Sequence, residues 1–163
     1  MHVKTQGLVL RETNYKEADK ILTVLTREGG KQTVKARGCR RKNSPLAASA
    51  QLLAWSDMTL FAYRDRLTLN EAEALELFWG VRADVEKLAL ASYFAEVTEA
   101  VAEEGRPDPA LLSLALNSLY ALDKLQRPLP LVKAAFELKL LCVAGYEPLL
   151  DACAVCGAPE PEP

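Results

Sequence analysis

This chain of 163 residues has a single histidine and no glycine-rich nucleotide motif, two features on which many enzymes depend. The only histidine is His2, so the sequence cannot build a histidine triad or a His-rich metal site. G-x-x-x-x-G-K-[ST] and G-x-G-x-x-G, the motifs that cradle nucleotide phosphates, are both absent. Carboxylates such as Glu71, Glu73 and Glu76 lack a neighbouring metal ligand, and we interpret them as solvated faces. The sequence therefore predicts a protein that is not an enzyme.

Long apolar runs are missing as well. The longest uncharged stretches, residues 43–56 and 109–122, have 14 residues each, fewer than the roughly 20 that a membrane-spanning helix needs. No positively charged segment followed by an apolar one opens the chain, so nothing marks it for secretion. We therefore expect a cytoplasmic protein without a membrane partner.

Acidic residues are absent from one part of the chain, between Glu28 and Asp57. Residues 1–66 contain 13 Lys and Arg against 6 Asp and Glu, a net charge of +7, whereas residues 67–163 have a net charge of −9. This asymmetry predicts two modules, the first facing an anion and the second facing solvent or a protein.

Residues 31–42, KQTVKARGCRRK, form the most basic stretch, with six cations and no acid. Lys31, Lys35 and Arg37 have the same parity, so a strand here would direct three cations to one face. From Gly38 onward the stretch is typical of a cationic loop, which can follow a phosphate backbone without reading bases. The alternative is a solvated edge strand that the charges keep soluble. The density of cations favours nucleic-acid binding.

Short β-rich segments dominate the first 75 residues. Gly29 and Gly30 predict a hairpin that leads into the basic strand, and an N-capped segment at 46–53 predicts a short helix. Five strands with a helix after the third are the layout of an OB-fold barrel, a platform for single-stranded nucleic acid. The strand-like runs are residues 1–10, 21–26, 31–37, 55–63 and 67–71.

One of these strands, residues 55–63, carries aromatic residues of a single parity. Trp55, Phe61 and Tyr63 should share a face, and exposed rings there could stack on bases at about 1–3 kcal/mol each. Packing of this face against the second module is the alternative, and we favour it because large rings gain more from burial.

Helical spacing begins after Gly80. Asp84 is a plausible N-cap, Asp108 precedes a second helix that is apolar almost all round, and a third helix should end at Gly145. Cys142 on the third helix is expected to be a core residue. We predict an α+β chain of two modules: an OB-fold domain over 1–79, an all-α domain over 80–150, and a partial zinc-knuckle segment and tail over 151–163.

The zinc-knuckle prediction rests on Cys153-Ala-Val-Cys156. Two thiolates on a tight turn can bind one zinc ion, but a structural zinc site needs four ligands. The other two ligands would come from further along a longer chain or from another chain; a redox pair is the least favoured alternative. Zinc is therefore expected as a cofactor only if the missing ligands are supplied.

Several separated segments resemble the RecO family of DNA repair and recombination mediators. They are residues 15–31, 35–42, 57–63 and 145–157, in the family's order. The resemblance implies an N-terminal OB-fold, a helical domain and usually a four-cysteine zinc module. It also implies binding of single- and double-stranded DNA, annealing of complementary strands and, with RecR, assistance to RecA on DNA coated by single-strand-binding protein (SSB) in the RecF pathway.

Two sets of residues follow from this resemblance. The helical module would receive the C-terminal tail of SSB, with a cation at the groove's rim supplied by Arg127, Lys133 or Lys139. Family members usually continue with a second cysteine pair, so the chain resembles a truncated member. The DNA-binding residues would be Arg27, Lys31, Lys35, Arg37, Arg40, Arg41 and Lys42.

Three other functions stay open from the residues alone. One is an RNA- or ribosome-associated OB-fold protein, which differs only in its ligand. The second is a zinc- or thiol-dependent enzyme that uses Cys153 and Cys156. The third is an interaction scaffold in which the basic strand is only a solubilised edge.

Overall fold

A closed five-stranded barrel precedes the helices in the computed structural model, which describes residues 1–159. The strand order is β1-β2-β3-β5-β4, with β4 returning to β1, and β3 with β5 is the parallel pair. This confirms the predicted fold class, an OB-type barrel followed by an all-α module. The strands are β1 His2–Tyr15, β2 Asp19–Thr26, β3 Gly30–Ala36, β4 Trp55–Tyr63 and β5 Arg66–Glu76.

The first and last strands are longer than their patterns predicted. β1 passes the predicted end at Leu10 because its polar residues pair with β2 as far as Tyr15 opposite Asp19. β5 likewise continues to Glu76, opposite Trp55 of β4. The predicted hairpin between β2 and β3 is confirmed, with Thr26 opposite Gly30 at its end.

The helix predicted at 46–53 is wrong, because this segment is a succession of turns. One helix-like bond occurs, from the Ala50 N–H to the Leu46 carbonyl (3.0 Å), but Leu53 adopts a left-handed φ of 68°. The Leu53 N–H donates to the Val9 carbonyl of β1 (2.9 Å). Attachment to the barrel, which local spacing cannot reveal, thus replaces the helical bonds.

The three predicted helices are confirmed, and a fourth, single-turn helix precedes them. Asp84 caps α2 by accepting from two backbone N–H groups, Asp108 caps α3 by accepting from Leu111 N–H (2.9 Å), and Gly145 follows α4 with a φ of 90°. No helix within residues 1–159 is long and apolar enough to cross a membrane. The helices are α1 Trp79–Arg82, α2 Val85–Val101, α3 Pro109–Lys124 and α4 Leu129–Val143.

Two apolar clusters make up the core. One fills the barrel, around Val24 and Val34. The other joins the helices to the outer side of the barrel, where Leu8, Leu25 and Trp55 pack in the same cluster as the apolar face of α3. α3 is therefore central to the helical module, as its all-round apolar sequence predicted.

Arg82 of α1 also connects the modules. Its guanidinium donates to the Leu52 carbonyl (2.6 Å) and to the Leu77 carbonyl (2.5 Å), and its burial lowers the pKa of the group. The predicted division at residues 79 and 150 stays a prediction, and the end of the predicted tail, residues 160–163, lies outside the described residues.

Candidate nucleic-acid interface

A groove of about 880 Å³ crosses the outer face of the barrel. It runs over β2, β3, β5 and β4 and reaches the tips of the β1–β2 and β4–β5 hairpins. These tips and the β2–β3 face are where OB-folds bind oligonucleotides. The groove combines cations with aromatic rings; its lining includes Tyr15, Lys35, Arg37, Phe61, Tyr63 and Arg66.

The barrel's register explains why distant residues meet in this groove. Lys35 of β3 lies between Ile21 of β2 and Thr68 of β5, and Thr68 in turn lies opposite Phe61 of β4. Neighbouring strands are about 4.8 Å apart, so Lys35 and Phe61 are separated by about 10 Å across the sheet. A cation and an aromatic ring thus share one row, although 26 positions separate them in the sequence.

Asp19 organises the basic side of the groove. Its carboxylate lies 3.2 Å from the Lys35 ammonium and accepts a hydrogen bond from the Gly38 N–H (2.8 Å). The Gly38 bond, together with the Lys35 charge, lowers the pKa of Asp19. Since the Lys35 ammonium also lies 4.9 Å from the centroid of the Tyr15 ring, the strand cation is held in place from two sides.

The basic loop, residues 37–43, lies against the β1–β2 turn. The Arg40 N–H donates to the Ala18 carbonyl (3.0 Å), and the Cys39 side chain is buried in the barrel core. Burial raises the pKa of the Cys39 thiol, which suits a neutral apolar anchor. The loop is thus fixed at its backbone while its cations face solvent; these are Arg37, Arg40, Arg41 and Lys42.

Arg27 and Lys31 lie apart from this cluster. Lys31 is near the start of β3, and its ammonium donates to the Glu99 carbonyl of α2 (3.1 Å). The Arg27 guanidinium lies 5.9 Å from the Trp55 ring, near the helical module. Of the seven predicted DNA-binding residues, the structure brings five to the groove end of the barrel and places these two elsewhere. Whether any of the seven binds DNA stays a prediction.

The aromatic face of β4 divides into two parts. Trp55, Phe61 and Tyr63 do point outward, as their parity predicted, but the helices cover only Trp55. Phe61 and Tyr63, about 20 and 26 Å further along the strand, remain 39% and 60% exposed. The expectation that this face packs against the second module is therefore right for one ring and wrong for two.

Sequence reasoning missed the hairpin tips as part of the site. Tyr15 and Arg66 reach the groove only because the barrel closes, which brings both hairpins beside the basic loop. A usable signal was present, since an aromatic residue and a cation stand next to each other at both turns, as Tyr15-Lys16 and Tyr63-Arg64.

A second groove, of about 520 Å³, lies between α3 and α4. Its lining is mainly apolar, including Leu114, Leu131 and Phe136, and it includes two of the three predicted rim cations, Arg127 and Lys139. The third candidate, Lys133, is not part of this lining.

Lys133 has other contacts, which hold it away from this groove. Its ammonium pairs with Glu137 (2.8 Å) and lies 5.7 Å from the centroid of the Tyr93 ring. The Tyr93 hydroxyl donates to the same Glu137 carboxylate (2.7 Å), so Lys133 belongs to a small polar cluster beside α2.

Cys142 also lines the α3–α4 groove and is exposed, so the prediction of a buried cysteine is wrong. Its position on an apolar helix suggested burial. However, α4 buries only one stripe, formed by Val132, Phe136 and Leu140, and Cys142 lies off that stripe.

The Cys153–Cys156 segment forms a tight turn in which the Gly157 N–H donates to the Cys153 carbonyl (2.9 Å). The backbone N–H groups of Cys156 and Val155 lower the pKa of the Cys153 thiol, as suits a thiolate ligand. No group of three or more His, Cys, Asp and Glu residues that could hold a metal occurs within residues 1–159. The turn therefore fits two ligands of a zinc site, not four.

Two family models match consecutive parts of the chain. Recombination protein O N terminal matches residues 1–78, which include the barrel, and Recombination protein O C terminal matches residues 82–163. The chain belongs to the RecO family. The resemblance seen in the sequence is thereby confirmed.

Curated relatives named DNA repair protein RecO agree with this assignment. The protein from Acetivibrio thermocellus is 40% identical over 158 residues, which cover 96% of this RecO chain and 62% of the relative. That from Alkaliphilus metalliredigens is 39% identical over 157 residues, covering 96% and 64%. A Listeria monocytogenes serotype 4a relative is 38% identical, covering 94% and 60%. The chain thus spans slightly less than two thirds of the length of these relatives.

Proposed function

We propose that this RecO chain is a non-enzymatic mediator that binds single- and double-stranded DNA and anneals complementary strands. With RecR, it would assist loading of RecA on SSB-coated DNA in the RecF pathway, working in the bacterial cytoplasm at the nucleoid. The observation that carries the proposal is the exposed basic loop beside the barrel groove. Family membership adds the link with repair.

The mechanism of annealing would be neutralisation of phosphate charge. Cations of the loop replace the counterions that surround each strand, and release of those counterions favours binding. With part of its charge neutralised, a bound strand repels a complementary strand less. The loop cations are well suited to this role because their backbone is held while their side chains extend into solvent. Phosphate contacts of this kind do not depend on sequence.

Binding of a fluorescent single-stranded oligonucleotide between about 50 and 200 mM salt tests this proposal. We expect affinity to fall steeply, because each phosphate contact adds about 0.7 to the slope of log K against log salt for a single strand. Flat or absent binding would contradict it. RNA of the same sequence is the control, since a clear preference for RNA would favour the RNA-associated alternative.

We propose further that the α3–α4 groove receives the C-terminal tail of SSB. This tail is acidic with an apolar tip, and the groove offers apolar side chains with Arg127 and Lys139 beside them. An apolar tip would lie against Leu131 and Val143, while the acidic part would pair with the two cations.

Replacing Arg127 and Lys139 by alanine should reduce affinity for such a peptide roughly tenfold, because two exposed ion pairs would be lost. Lys133→Ala is the control, since it removes a cation from α4, the helix that carries Lys139, but outside the groove. Titration of a labelled acidic peptide with an apolar C-terminus, measured by fluorescence anisotropy, provides the comparison. Equal losses in the variant and the control would reject the groove as the binding site.

Zinc belongs to this proposal only conditionally. Cys153 and Cys156 would supply two thiolate ligands, and two further ligands would have to come from beyond the described residues or from another chain. Measurement of bound zinc in the purified protein would decide this. In this proposal, residues 1–79 bind DNA, residues 80–150 bind protein partners, and residues 151–163 are the zinc-knuckle segment and tail.

A further inference from the structure

We propose that Phe61 and Tyr63 are specificity-determining residues that stack on unpaired bases, so that the barrel groove binds single-stranded nucleic acid more tightly than duplex. This inference rests on the proposed function and assigns a base-binding role to residues distinct from the phosphate-binding loop.

The exposure of these two rings is the first observation. Phe61 and Tyr63 are 39% and 60% exposed at the end of β4, and both line the groove that also contains Lys35 and Arg37. Rings of this size usually gain from burial, so two of them side by side on a barrel surface indicate a surface that is covered when a ligand binds.

The neighbours of each ring indicate which rings are available to stack on a base. The Tyr15 ring has the ammonium groups of both Lys16 (5.5 Å) and Lys35 (4.9 Å) near it, so we assign it to holding cations. The Tyr63 ring has one cation near it, the Arg64 guanidinium, which lies 5.3 Å from the ring centroid. A ring with a single neighbouring cation can still offer a face to a base, and aromatic residues paired with arginine are common where single strands bind.

Phe61 has its own neighbour on β1. The centroid of the His2 ring lies 5.2 Å from that of Phe61, and the two ring planes are tilted by 57° rather than parallel. Phe61 and Tyr63 therefore form a short aromatic surface along one strand, about 7 Å apart along β4. Two rings along one strand can accept two successive bases of a single-stranded ligand.

The charges around the groove separate the positions of phosphates and bases. Lys35 lies two strands from Phe61, about 10 Å away, so a strand whose phosphate binds Lys35 can direct its base toward the ring. Asp65 and Arg66 both line the groove beside Tyr63, and their charges offset each other. The β3 side has two lining cations, Lys35 and Arg37. Backbone is thus favoured on the β3 side of the groove and bases on the β4 side.

Duplex DNA can contact the cations of this site but not its aromatic rings. Its phosphates can contact the basic loop, but its bases are stacked and paired, so the two rings have no base face to contact. The loop should therefore bind both forms, while Phe61 and Tyr63 add affinity for the single strand alone.

The test compares an oligothymidylate with an abasic strand of the same length and charge, each labelled and titrated with the full chain at one salt concentration. We expect the oligothymidylate to bind at least about tenfold more tightly, since a stacked base is worth about five- to 150-fold. The variant with both Phe61→Ala and Tyr63→Ala should remove this difference and leave affinity for the abasic strand unchanged. Tyr120→Ala, at a 53% exposed tyrosine on α3 outside the groove lining, is the matched control and should change neither affinity.

Each outcome has a defined meaning. Equal binding of both strands by the unmodified chain overturns the inference but leaves the proposed function standing. Absence of binding to either strand overturns both. Loss of affinity for the abasic strand in the double variant also overturns the inference, because the rings would then act through the fold or the phosphates. Retention of base-dependent binding in Phe61→Trp with Tyr63→Trp supports it.

Discussion

Replacing Arg40, Arg41 and Lys42 by alanine is expected to weaken DNA binding by the same factor for every sequence. It should also lower the salt slope by about 2 on a single strand and about 3 on duplex, because three phosphate contacts are removed. Over a fourfold change in salt, the unmodified chain should then lose roughly 15- to 60-fold more affinity than the variant. Titrations of one labelled oligonucleotide at several salt concentrations measure this difference directly.

The structure makes this variant informative because the loop should keep its shape. Its main anchors are the buried Cys39 side chain and the backbone bond from Arg40 N–H to the Ala18 carbonyl, both of which alanine at these positions leaves in place. Alanine removes only the long, exposed bond from the Arg40 guanidinium to the Lys16 carbonyl (3.4 Å). A control that replaces Lys87, Lys124 and Lys133 by alanine removes the same net charge from the helical module. If both variants lower the salt slope by the same amount, DNA binding depends only on overall charge. The assignment of the basic loop as the phosphate-binding site then fails.

Phe94→Ala is expected to lower the free energy of unfolding by about 3–5 kcal/mol. The Phe94 ring is buried in the cluster that joins the modules and stacks on Phe136, with 4.0 Å between centroids and 22° between planes. Its removal would leave a cavity between α2 and α4 that rigid neighbours fill only in part. Urea denaturation measures the change, and the melting temperature should fall by roughly 10 °C.

Val85→Ala on the same helix is the matched control. Val85 is 85% exposed, so its truncation should change stability by no more than about 0.5 kcal/mol. A loss below about 1 kcal/mol for Phe94→Ala would show that the aromatic pair contributes little to the core.

Local chemistry explains why much of the fold could be predicted from the sequence. The β2–β3 hairpin follows from two glycines between β-rich runs, and Gly30 adopts a φ of 64° that glycine tolerates well. Asp84 and Gly145 mark a helix start and a helix end by interactions within a few residues. Predictions of this kind depend on neighbours in the sequence, and they are the ones confirmed here.

Long-range contacts explain what could not be predicted. Lys31 and Lys35 are equivalent in the strand pattern, yet Lys31 donates to Glu99, 68 positions away, while Lys35 faces the groove. Segment 46–53 has the composition of a helix, and only its bond to Val9 shows that it is not one. The exposed Cys142 is a similar case, because nothing local tells which face of α4 is covered.

The rim cations of the α3–α4 groove belong with the long-range cases. Lys133 and Lys139 are six positions apart, about 120° around a helix, and residues this far apart can line one groove, as Leu131 and Phe136 do. The choice of Lys139 required knowing which side of α4 faces α3, and tertiary packing alone decides that.

The cluster shared by the barrel and the helices has a consequence for how the chain can be divided. A fragment that ended with the barrel would expose the apolar side chains of Leu8, Leu25 and Trp55 to water. The helices alone would lose the barrel residues against which they pack. The boundary that separates the two halves in sequence and topology therefore does not separate them as folding units. A DNA strand bound to the barrel and a peptide bound to the helices would therefore lie on two modules that share one apolar cluster.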